Sequence, residues 1–562
     1  MKDSYWYFRL DKTLPGVKLG LVFLSAIVPN LTVQAAPNQF TFGAYTSIQI
    51  NVNASGQNIK GDAANEPSIA VNPLDADNMV ITWKQFASVL SSMRETGWSY
   101  SKNGSAGWQL PNVLTPGTAR TNGVVDVDSH GNFYFQGLVY AADLLSAENI
   151  QVFKSTDGGV SWSAPVFAYG VVADKGWMTI DRSGGTSDGH VYVDWREGSD
   201  PNHFTRSINQ AASFQPTNPL PGDPTFGTMK VGPNGEVYVV GRTEPGVMND
   251  TFTEDIQTPF QIDISLNAKN PAVQPGFSNQ ALDLGGDAVL YLTRENPNQY
   301  GPVGDAQVGV DTSTGALKGN IYVMAPVAPP GNNDPLDVNF IRSSDGGKTW
   351  STPVRVNDDP PSPNAWHWFA MLGVAPNSRI DAVWYDTRNS QNYGISTLYY
   401  AYSWDGGSTW SKNVPVSLPF NTLIGYPSGA IKIGDYSTLV SGVNGAGVAY
   451  TATFNNEQDV YQLNVFPDCN SNKISDVLDI SNGTSTDHNS DHIPDECVIS
   501  AIVGDLNGDA VVDKKDLNLM LAAKNTKAVS ATDPRDLDHD GKITALDARK
   551  LTLLCTHPAC AT

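Results

Sequence analysis

The chain has 562 residues, with 57 acidic side chains against 35 basic ones and a formal net charge of -22. So acidic a surface repels phosphate backbones and anionic lipid, which excludes nucleic acid and membrane surfaces as partners. Charged residues make up only 16%, while Gly (51), Tyr (21) and Trp (13) are plentiful, a balance that favours several turn-rich β domains over long helices or disorder.

Residues 1–36 read as an export signal. Lys2, Arg9, Lys12 and Lys18 precede an apolar run, Leu19–Val28, and Val33-Gln34-Ala35 ends on a small-residue cleavage pattern. That apolar run makes ~15 Å of helix, about half a bilayer core, so it is too short to anchor the chain. No later segment is apolar enough to span a membrane. The expected location is outside the cell, free or displayed at its surface.

Residues 37–466 are built from repeats. Three octapeptides, STDGGVSW (Ser155–Trp162), SSDGGKTW (Ser343–Trp350) and SWDGGSTW (Ser403–Trp410), each lie between two strand-like runs, and SKNGSAGW (Ser101–Trp108) is a degenerate fourth. The chemistry is that of a turn between strands. Asp accepts hydrogen bonds from turn amides, Gly-Gly takes positive φ, and Trp packs beneath. The octapeptide resembles the Asp-box of bacterial-neuraminidase-type (BNR) repeats, a family of sialidase-like β-propellers.

A second repeat fills the gaps between these turns: an apolar strand, a Gly/Asn/Pro turn, and a strand ending in aromatics. It occurs at Pro67–Trp83, Gly123–Gly137, Trp177–Trp195, Phe226–Gly241, Gln307–Ala325, Phe369–Tyr385 and, more loosely, Ser428–Phe454. Hairpins recurring every ~50–80 residues, each followed by a further strand pair, predict a mainly β fold, a propeller of seven blades with six as the alternative. The alternating run Phe40–Val52 is the expected strand that closes the ring against the last blade.

Residues just before innermost strands are expected at the mouth of the central funnel: Glu66, Asp174, Lys175, Trp177, Trp366, His367 and Tyr426. Arginines follow the second strands at Arg196, Arg242, Arg294 and Arg388. They either converge on one rim or, as Asp194–Arg196 and Asp386–Arg388, brace neighbouring blades. A sialidase is expected to carry three clamping arginines, a Tyr nucleophile with a Glu partner, and an Asp acid, and its first Arg lies in a short F/Y-R-I-P motif. That motif is absent, which argues against sialidase activity itself. The catalytic candidates are therefore Glu66, Asp174, His367, Arg196, Arg388 and Tyr426. Two functions stay open: a glycoside hydrolase of polysaccharide breakdown, and a non-catalytic module that binds extracellular glycans.

Residues 467–499 form a spacer with two Asp/Asn-rich loops that look like thrombospondin type 3 repeats. Asp468, Asn470, Asn472, Asp476 and Asp479 make a first calcium site. Asp487, Asn489, Asp491 and Asp495 make a second, incomplete one, because Val498 stands at its last ligand position. His488 and His492 read as loop surface. Four cysteines, Cys469, Cys497, Cys555 and Cys560, suggest two disulfides, with the two local pairings the simplest of three.

Residues 500–562 carry the clearest chemistry. DLNGDAVVDKKD (Asp505–Asp516) and DLDHDGKITALD (Asp536–Asp547) place oxygens at alternate positions, as a calcium loop requires. The ligands are Asp505, Asn507, Asp509, Val511 through its carbonyl, Asp513 and Asp516, then Asp536, Asp538, Asp540, Lys542 through its carbonyl, Thr544 and Asp547. Ala510 stands where such loops carry Gly, which strains the first turn. Val512 and Ile543 are expected to pair the loops through a short strand, and helix-like runs follow each loop. The duplication, with Asp at the twelfth position, resembles a type I dockerin with an EF-hand-like pair. That resemblance implies Ca2+ as the bound ion and a cohesin-type protein as partner. The recognition positions are Lys514-Lys515 and Ala545-Leu546. They differ between the halves, which argues against equivalent binding in two orientations. A calcium-stabilised cap without a cohesin is the alternative.

Overall fold

Seven antiparallel sheets follow one another along the chain, each begun by one of the hairpins legible in the sequence. The computed structural model describes residues 38–560 apart from 142–146, 171–173, 197–201, 244–255, 291–294, 300, 332–333, 428–431, 489–491, 498–502, 508–510, 529–532 and 556–559. The export signal, Arg294, Asn489, Asp491, Asp509 and Ala510 lie outside the described residues.

Blade 1 runs through Ala63–Asn72, Asp75–Phe86, Arg94–Lys102 and Asn112–Leu114, and blade 2 through Arg120–Val127, Phe133–Tyr140, Ala147–Ser155 and Val166–Gly170. Blade 3 has Asp174–Ile180, Val191–Arg196 and Phe204–Ser207. Blade 4 has Met229–Val231, Val237–Thr243, Phe260–Ser265 and Ser278–Leu282. Blade 5 has Gln307–Val310, Ile321–Val327, Asp337–Ser343 and Val354–Arg355, and blade 6 has His367–Val374, Ile380–Asp386, Ile395–Ser403 and Val414–Pro415. Each innermost strand lies beside that of the next blade, and the seventh returns to the first. The ring therefore has seven blades, which sets the six-bladed alternative aside. Blade faces are covered by neighbours on both sides, so second strands such as Ile321–Val327 are buried at every residue and read as apolar runs rather than alternations.

Blade 7 is assembled from both ends of the propeller. Thr438–Ser441, Ala446–Ala452 and Asp459–Val465 are completed by Tyr45–Gln49 and then Gln39–Phe42, as the sequence pattern predicts. Beyond the paired strands, Ile50 N–H donates to Val460 O (2.8 Å), Val460 N–H to Asn51 Oδ1 (2.9 Å), and Asn51 Nδ2 to Asp459 Oδ1 (2.8 Å). Phe40 stacks on Phe454 at 4.8 Å. Tyr45–Gln49 thus covers the edge that Asp459–Val465 would otherwise expose.

The octapeptides form the turn between third and fourth strands of their blades. In blade 2, Ser155 Oγ donates to Asp157 (2.8 Å), Gly159 N–H to Ser155 Oγ (3.0 Å) and Ser161 N–H to Asp157 (3.0 Å). Blades 5 and 6 repeat this at Asp345 and Asp405. Two further copies escaped the sequence pattern. In blade 3, Asn209 replaces the Asp and accepts from Ser213 N–H (3.0 Å), while Gln210 and Ala211 hold φ of 58° and 61° in place of the two glycines. In blade 4, Asn267 accepts from Gly276 N–H (2.8 Å) across a longer loop. Phe214 and Phe277 stand in the tryptophan position and pack on the core there. The second glycine of each turn also abuts the preceding blade. A Cβ on Gly407 would lie 2.1 Å from the Phe340 ring of blade 5, and one on Gly347 would lie 2.5 Å from Ile264 of blade 4.

Among the described residues, α-helices are confined to the C-terminal part: α1 (Asp476–Asn482), α2 (Lys514–Ala522) and α3 (Ala545–Leu554). Both disulfides take the local pairing, Cys469–Cys497 and Cys555–Cys560.

Gly346 and Gly407 separate the two demands on these turns. Both hold positive φ, 79° in each case, but a Cβ on Gly346 meets nothing within 4 Å. Gly346→Ala should cost about 1 kcal/mol of unfolding free energy, and Gly407→Ala about 3 kcal/mol, because strain there adds to a clash with the preceding blade. Denaturant unfolding of the two variants measures the difference.

Candidate functional site

Near the start of the innermost strands of four blades stands a kinked residue in the left-handed region: Glu66, Asn122 and Phe369 inside the strand and Phe226 ahead of it, with φ between 48° and 52°. A small residue follows three of them, because the kink brings backbones together. A Cβ on Gly123 would lie 2.6 Å from Phe135, and one on Gly227 only 1.8 Å from Val240 O. The kink brings side chains of different blades together.

An ion-pair cluster occupies the centre. Glu66 Oε1 accepts from Lys84 Nζ at 2.5 Å within blade 1, and both side chains are buried. Lys175 of blade 3 pairs with Asp305, which precedes blade 5, and Lys432 pairs with Asp435, which precedes blade 7. The Lys175 ammonium also lies 5.3 Å from the rings of Trp177 and Tyr436. Burial raises the pKa of Glu66 and lowers that of Lys84, each opposed by the other's charge. Burial likewise raises Asp305 against the pull of Lys175. Burial works against Asp435 too, but Lys432, Lys84 and Lys175 outweigh it and hold that carboxyl below its usual range. One oxygen of each of two acids, Glu66 Oε2 and Asp305 Oδ1, is buried without a partner.

Beside this cluster a cleft opens between blades 3 and 4, lined by Lys175, Trp177, Asp194, Arg196, Phe226 and Val240 among others. The Phe226 ring lies under two guanidinium groups, Arg242 at 4.3 Å and Arg196 at 5.5 Å. Arg196 also faces Asp174 at 3.8 Å, and Asp174 accepts from Asn122 Nδ2 at 3.0 Å. Asp194 is buried, and burial pushes its carboxyl up to about 7, against the Trp177 N–H bond and the charge of Lys175. Its ring neighbour Trp195 stacks on Tyr169 at 4.3 Å.

The predicted site residues divide accordingly. Glu66, Asp174, Lys175, Trp177, Arg196 and Arg242 gather at this centre and cleft. His367, Arg388, Trp366 and Tyr426 do not, and the expectation that they line the funnel mouth is corrected. His367 is completely buried in a network joining blades 5 and 6, with Nε2 2.9 Å from Asp359 and Nδ1 2.6 Å from Leu336 O. Burial opposes its protonation, but Asp386 and Asp359 outweigh burial and raise its pKa. Arg388 joins Asp386, Asp358 and Asn413 in the same network, the bracing role the sequence offered as the alternative. Trp366 is buried in the core there. Tyr426 donates to Thr422 O (3.0 Å) in the connection between blades 6 and 7. Lys84, Asp305, Lys432 and Asp435 were missed. The signal for two of them was the dipeptide Gly-Asp, repeated at Gly304-Asp305 and Gly434-Asp435 ahead of an innermost strand.

In the C-terminal part the loop acids turn inward on themselves. Asp536, Asp538 and Asp540 bring one carboxylate oxygen each within 4.8 Å of the others. Asp547 accepts from Leu537 N–H (2.8 Å) and caps α3 together with Thr544. In the first loop Asp516 accepts from Leu506 and Asn507 N–H, and with Asp513 it caps α2 in the same way. Val512, Met520, Ile543, Ala548 and Leu551 form a shared core. Ile543 pairs with Thr526, after α2, and packs with Val512 in that core. In the spacer, Asn472 Nδ2 donates to Asp479 (2.7 Å) and Asn472 N–H to Asp468 (3.0 Å). Asp476 accepts from Cys469 N–H (3.0 Å) while its Oδ2 is buried without a partner. Glu496, carried by the Cys469–Cys497 disulfide, reaches this group through Asn470 at 3.1 Å and was not foreseen. In the second spacer loop Asp495 pairs with His488, and Asp487 accepts from His492 N–H (3.0 Å).

No family profile matches the chain, and no curated protein does. Among solved structures, it is similar to a protein of unknown function from Dyadobacter fermentans, at 13% identity over 75% of this chain and 100% of that one, with a TM-score of 0.40. A Hadza microbial sialidase is similar at 13% identity over 71% of this chain and 65% of that one, TM-score 0.38. Trypanosoma rangeli sialidase is similar at 12% identity over 76% and 59%, TM-score 0.34. The chain thus spans less than two thirds of either sialidase. Such overlaps do not bear on chemistry, and the class of the protein, a seven-bladed β-propeller with a small helical tail, stands on its own strand pairing.

Asp194 gives the cleft a pH signature. Its folded pKa, about 7, exceeds the ordinary value of 3.8, so the fold favours the protonated acid. That contribution is complete below pH 3.8 and is lost as pH rises towards about 7. Asp194→Asn keeps an acceptor for Trp177 N–H and removes the buried charge. It should raise unfolding free energy by on the order of 2–4 kcal/mol at pH 8 and leave it unchanged at low pH, measured by denaturant unfolding across that range.

Proposed function

We propose that this is an exported, calcium-binding, glycan-recognition protein. In this reading the cleft between blades 3 and 4 holds an acidic sugar without cleaving it, and the C-terminal part binds Ca2+ and docks to a cohesin-type partner. The observation that carries the sugar reading is the Phe226 ring flanked by Arg196 and Arg242. A flat apolar face suits the C–H side of a sugar ring, and guanidinium groups suit a carboxylate or sulfate. Against hydrolysis, Glu66, Asp305 and Asp435 are each tied to a lysine. One observation favours a second reading. Asp194, raised to about 7, has the protonation a general acid needs, so a glycoside hydrolase acting through Asp194 is the alternative.

Titration of the full-length protein with uronic-acid and neutral oligosaccharides, alongside a reducing-end assay, tests both. Binding of the acidic series alone, weakened at least ~10-fold by Arg242→Ala with no reducing ends released, supports recognition. Released reducing ends that disappear in Asp194→Asn support the hydrolase.

Calcium suits the converging oxygens of the second tail loop and the first spacer loop, because a hard dication offsets the mutual repulsion of carboxylates there. Asp536, Asp538, Asp540 and Asp547 would hold one ion, with Thr544 and the Lys542 carbonyl. Asp505, Asn507, Asp509, Asp513, Asp516 and the Val511 carbonyl would hold a second. Asp468, Asn470, Asn472, Asp476 and Asp479 would hold a third. Calorimetric titration of calcium-stripped protein should show saturable binding of at least two ions, and Asp536→Asn with Asp540→Asn should remove one. Absence of binding would contradict this part of the reading.

A further inference from the structure

The spacer between propeller and tail is not a free tether. Ser475, at the N-terminus of α1, leaves its own helix uncapped and donates instead to Asn444 O (2.7 Å) in the blade 7 hairpin. Tyr45 of the closing strand packs on Phe466 at 5.5 Å, where the propeller passes into the spacer. Asp468 and Asp476 lie close enough for their charges to act on Tyr45 and on Tyr402 of blade 6. From the second spacer loop, His492 packs on Trp404 of the blade 6 turn at 4.8 Å. Arg379 lies over the same Trp404 ring at 5.6 Å and donates to Val443 O (2.7 Å) and Gly442 O (2.8 Å) of blade 7. The spacer therefore touches the last two blades, and Phe466, the residue that leads into it, packs on the closing strand.

The group of acids nearest those contacts carries an uncompensated charge. Asp468, Asp476, Asp479 and Glu496 converge through Asn470, Asn472 and Cys469, and among the described residues no lysine or arginine pairs with any of them. Asp476 is 1% exposed and its Oδ2 has no partner. Like charges packed beside the closing strand push the loop off the propeller unless a cation balances them.

We propose that an ion in the first spacer loop, completed by Glu496, acts as a clasp that fastens the propeller's ring closure. The proposal rests on the calcium reading above and goes beyond it: the ion stabilises the propeller, not only its own loop. Docking of the loop and binding of the ion favour one another, so each must strengthen the other by the same factor. The disulfide holds Glu496 at the loop whether or not the ion is present.

The test uses full-length protein stripped of calcium, with CaCl2 as the probe. It reads ion stoichiometry by calorimetry and hydrogen exchange of the closing strand, residues 45–49, by mass spectrometry. Calcium should slow exchange there at least ~5-fold and raise the propeller's melting temperature by about 4 °C. Asp476→Asn with Asp479→Asn should remove one ion and both effects. Trp404→Ala with Ser475→Ala should keep the ion but weaken its binding at least ~5-fold, while the tail ions are unaffected. If calcium binds with the stoichiometry falling by one in the acid variant, yet closing-strand exchange is indifferent to calcium, the clasp is overturned and the calcium reading stands. If no ion binds at the spacer, the clasp falls together with the spacer site of the calcium reading, and the tail sites are judged by their own stoichiometry. Glu496→Gln separates the new ligand from the loop itself: unchanged affinity there overturns its part in the site.

Discussion

A ring of sheets is stable only when its last sheet has no open edge. Here that condition is met by an N-terminal strand, Tyr45–Gln49, which pairs with one near the far end of the propeller, Asp459–Val465. The contact has the longest sequence separation in the propeller, so its loop-closure cost is met only after the intervening blades have formed. The side chains behind it are correspondingly committed. Asn51 bridges Asp459 and the Val460 amide, and Ser47 bonds the Tyr450 hydroxyl at 2.6 Å in the core of blade 7. Even Glu457 serves closure, accepting from Asn58 and from Gly61 N–H across the seam.

The centre of the ring obeys the same logic. A propeller axis gathers the first residues of seven inner strands, and polar groups there are shielded from water by the blades. Charges can stay only if they balance locally. Glu66 with Lys84, Lys175 with Asp305, and Lys432 with Asp435 do this with residues from blades 1, 3, 5 and 7. Of the three, only Lys175–Asp305 joins different blades and so positions them relative to one another. All three also take from the axis the acids a hydrolase would use, which moves the candidate site sideways, into the cleft where Phe226 meets Arg196 and Arg242.

The sequence was most legible where backbone conformation restricts residue choice. Gly-Gly after Asp marks a turn because two successive positive φ angles exclude most residues, and Trp162, Trp350 and Trp410 mark the packing beneath. The same turn became invisible in blade 3, where Gln210 and Ala211 accept the strain and Asn209 does the work of Asp. The Asp-rich loops were legible because their spacing is local, whereas Glu496 is brought to the first spacer loop by a disulfide and no spacing reports it. The centre was half legible. Position ahead of an inner strand selected Glu66 and Lys175, but it also selected His367, which the extra acids of the blade 5–6 connection draw into a brace. Lys84 sits inside a strand run, where an isolated charge reads as a solvent-facing residue until Glu66 on the neighbouring strand is placed beside it.

The central claim is that one cooperative ring depends on closure by the N-terminal strand. Hydrogen exchange of the intact protein under mild denaturant tests it most directly, comparing amides in Asp459–Val465 with those in the second strand of blade 3, Val191–Arg196. The account predicts that both sets open with the same free energy and the same denaturant dependence, because losing the seam opens the ring. Exchange of Asp459–Val465 at markedly lower free energy, with blade 3 still protected, would contradict it and show closure to be a local ornament on a ring that holds without it.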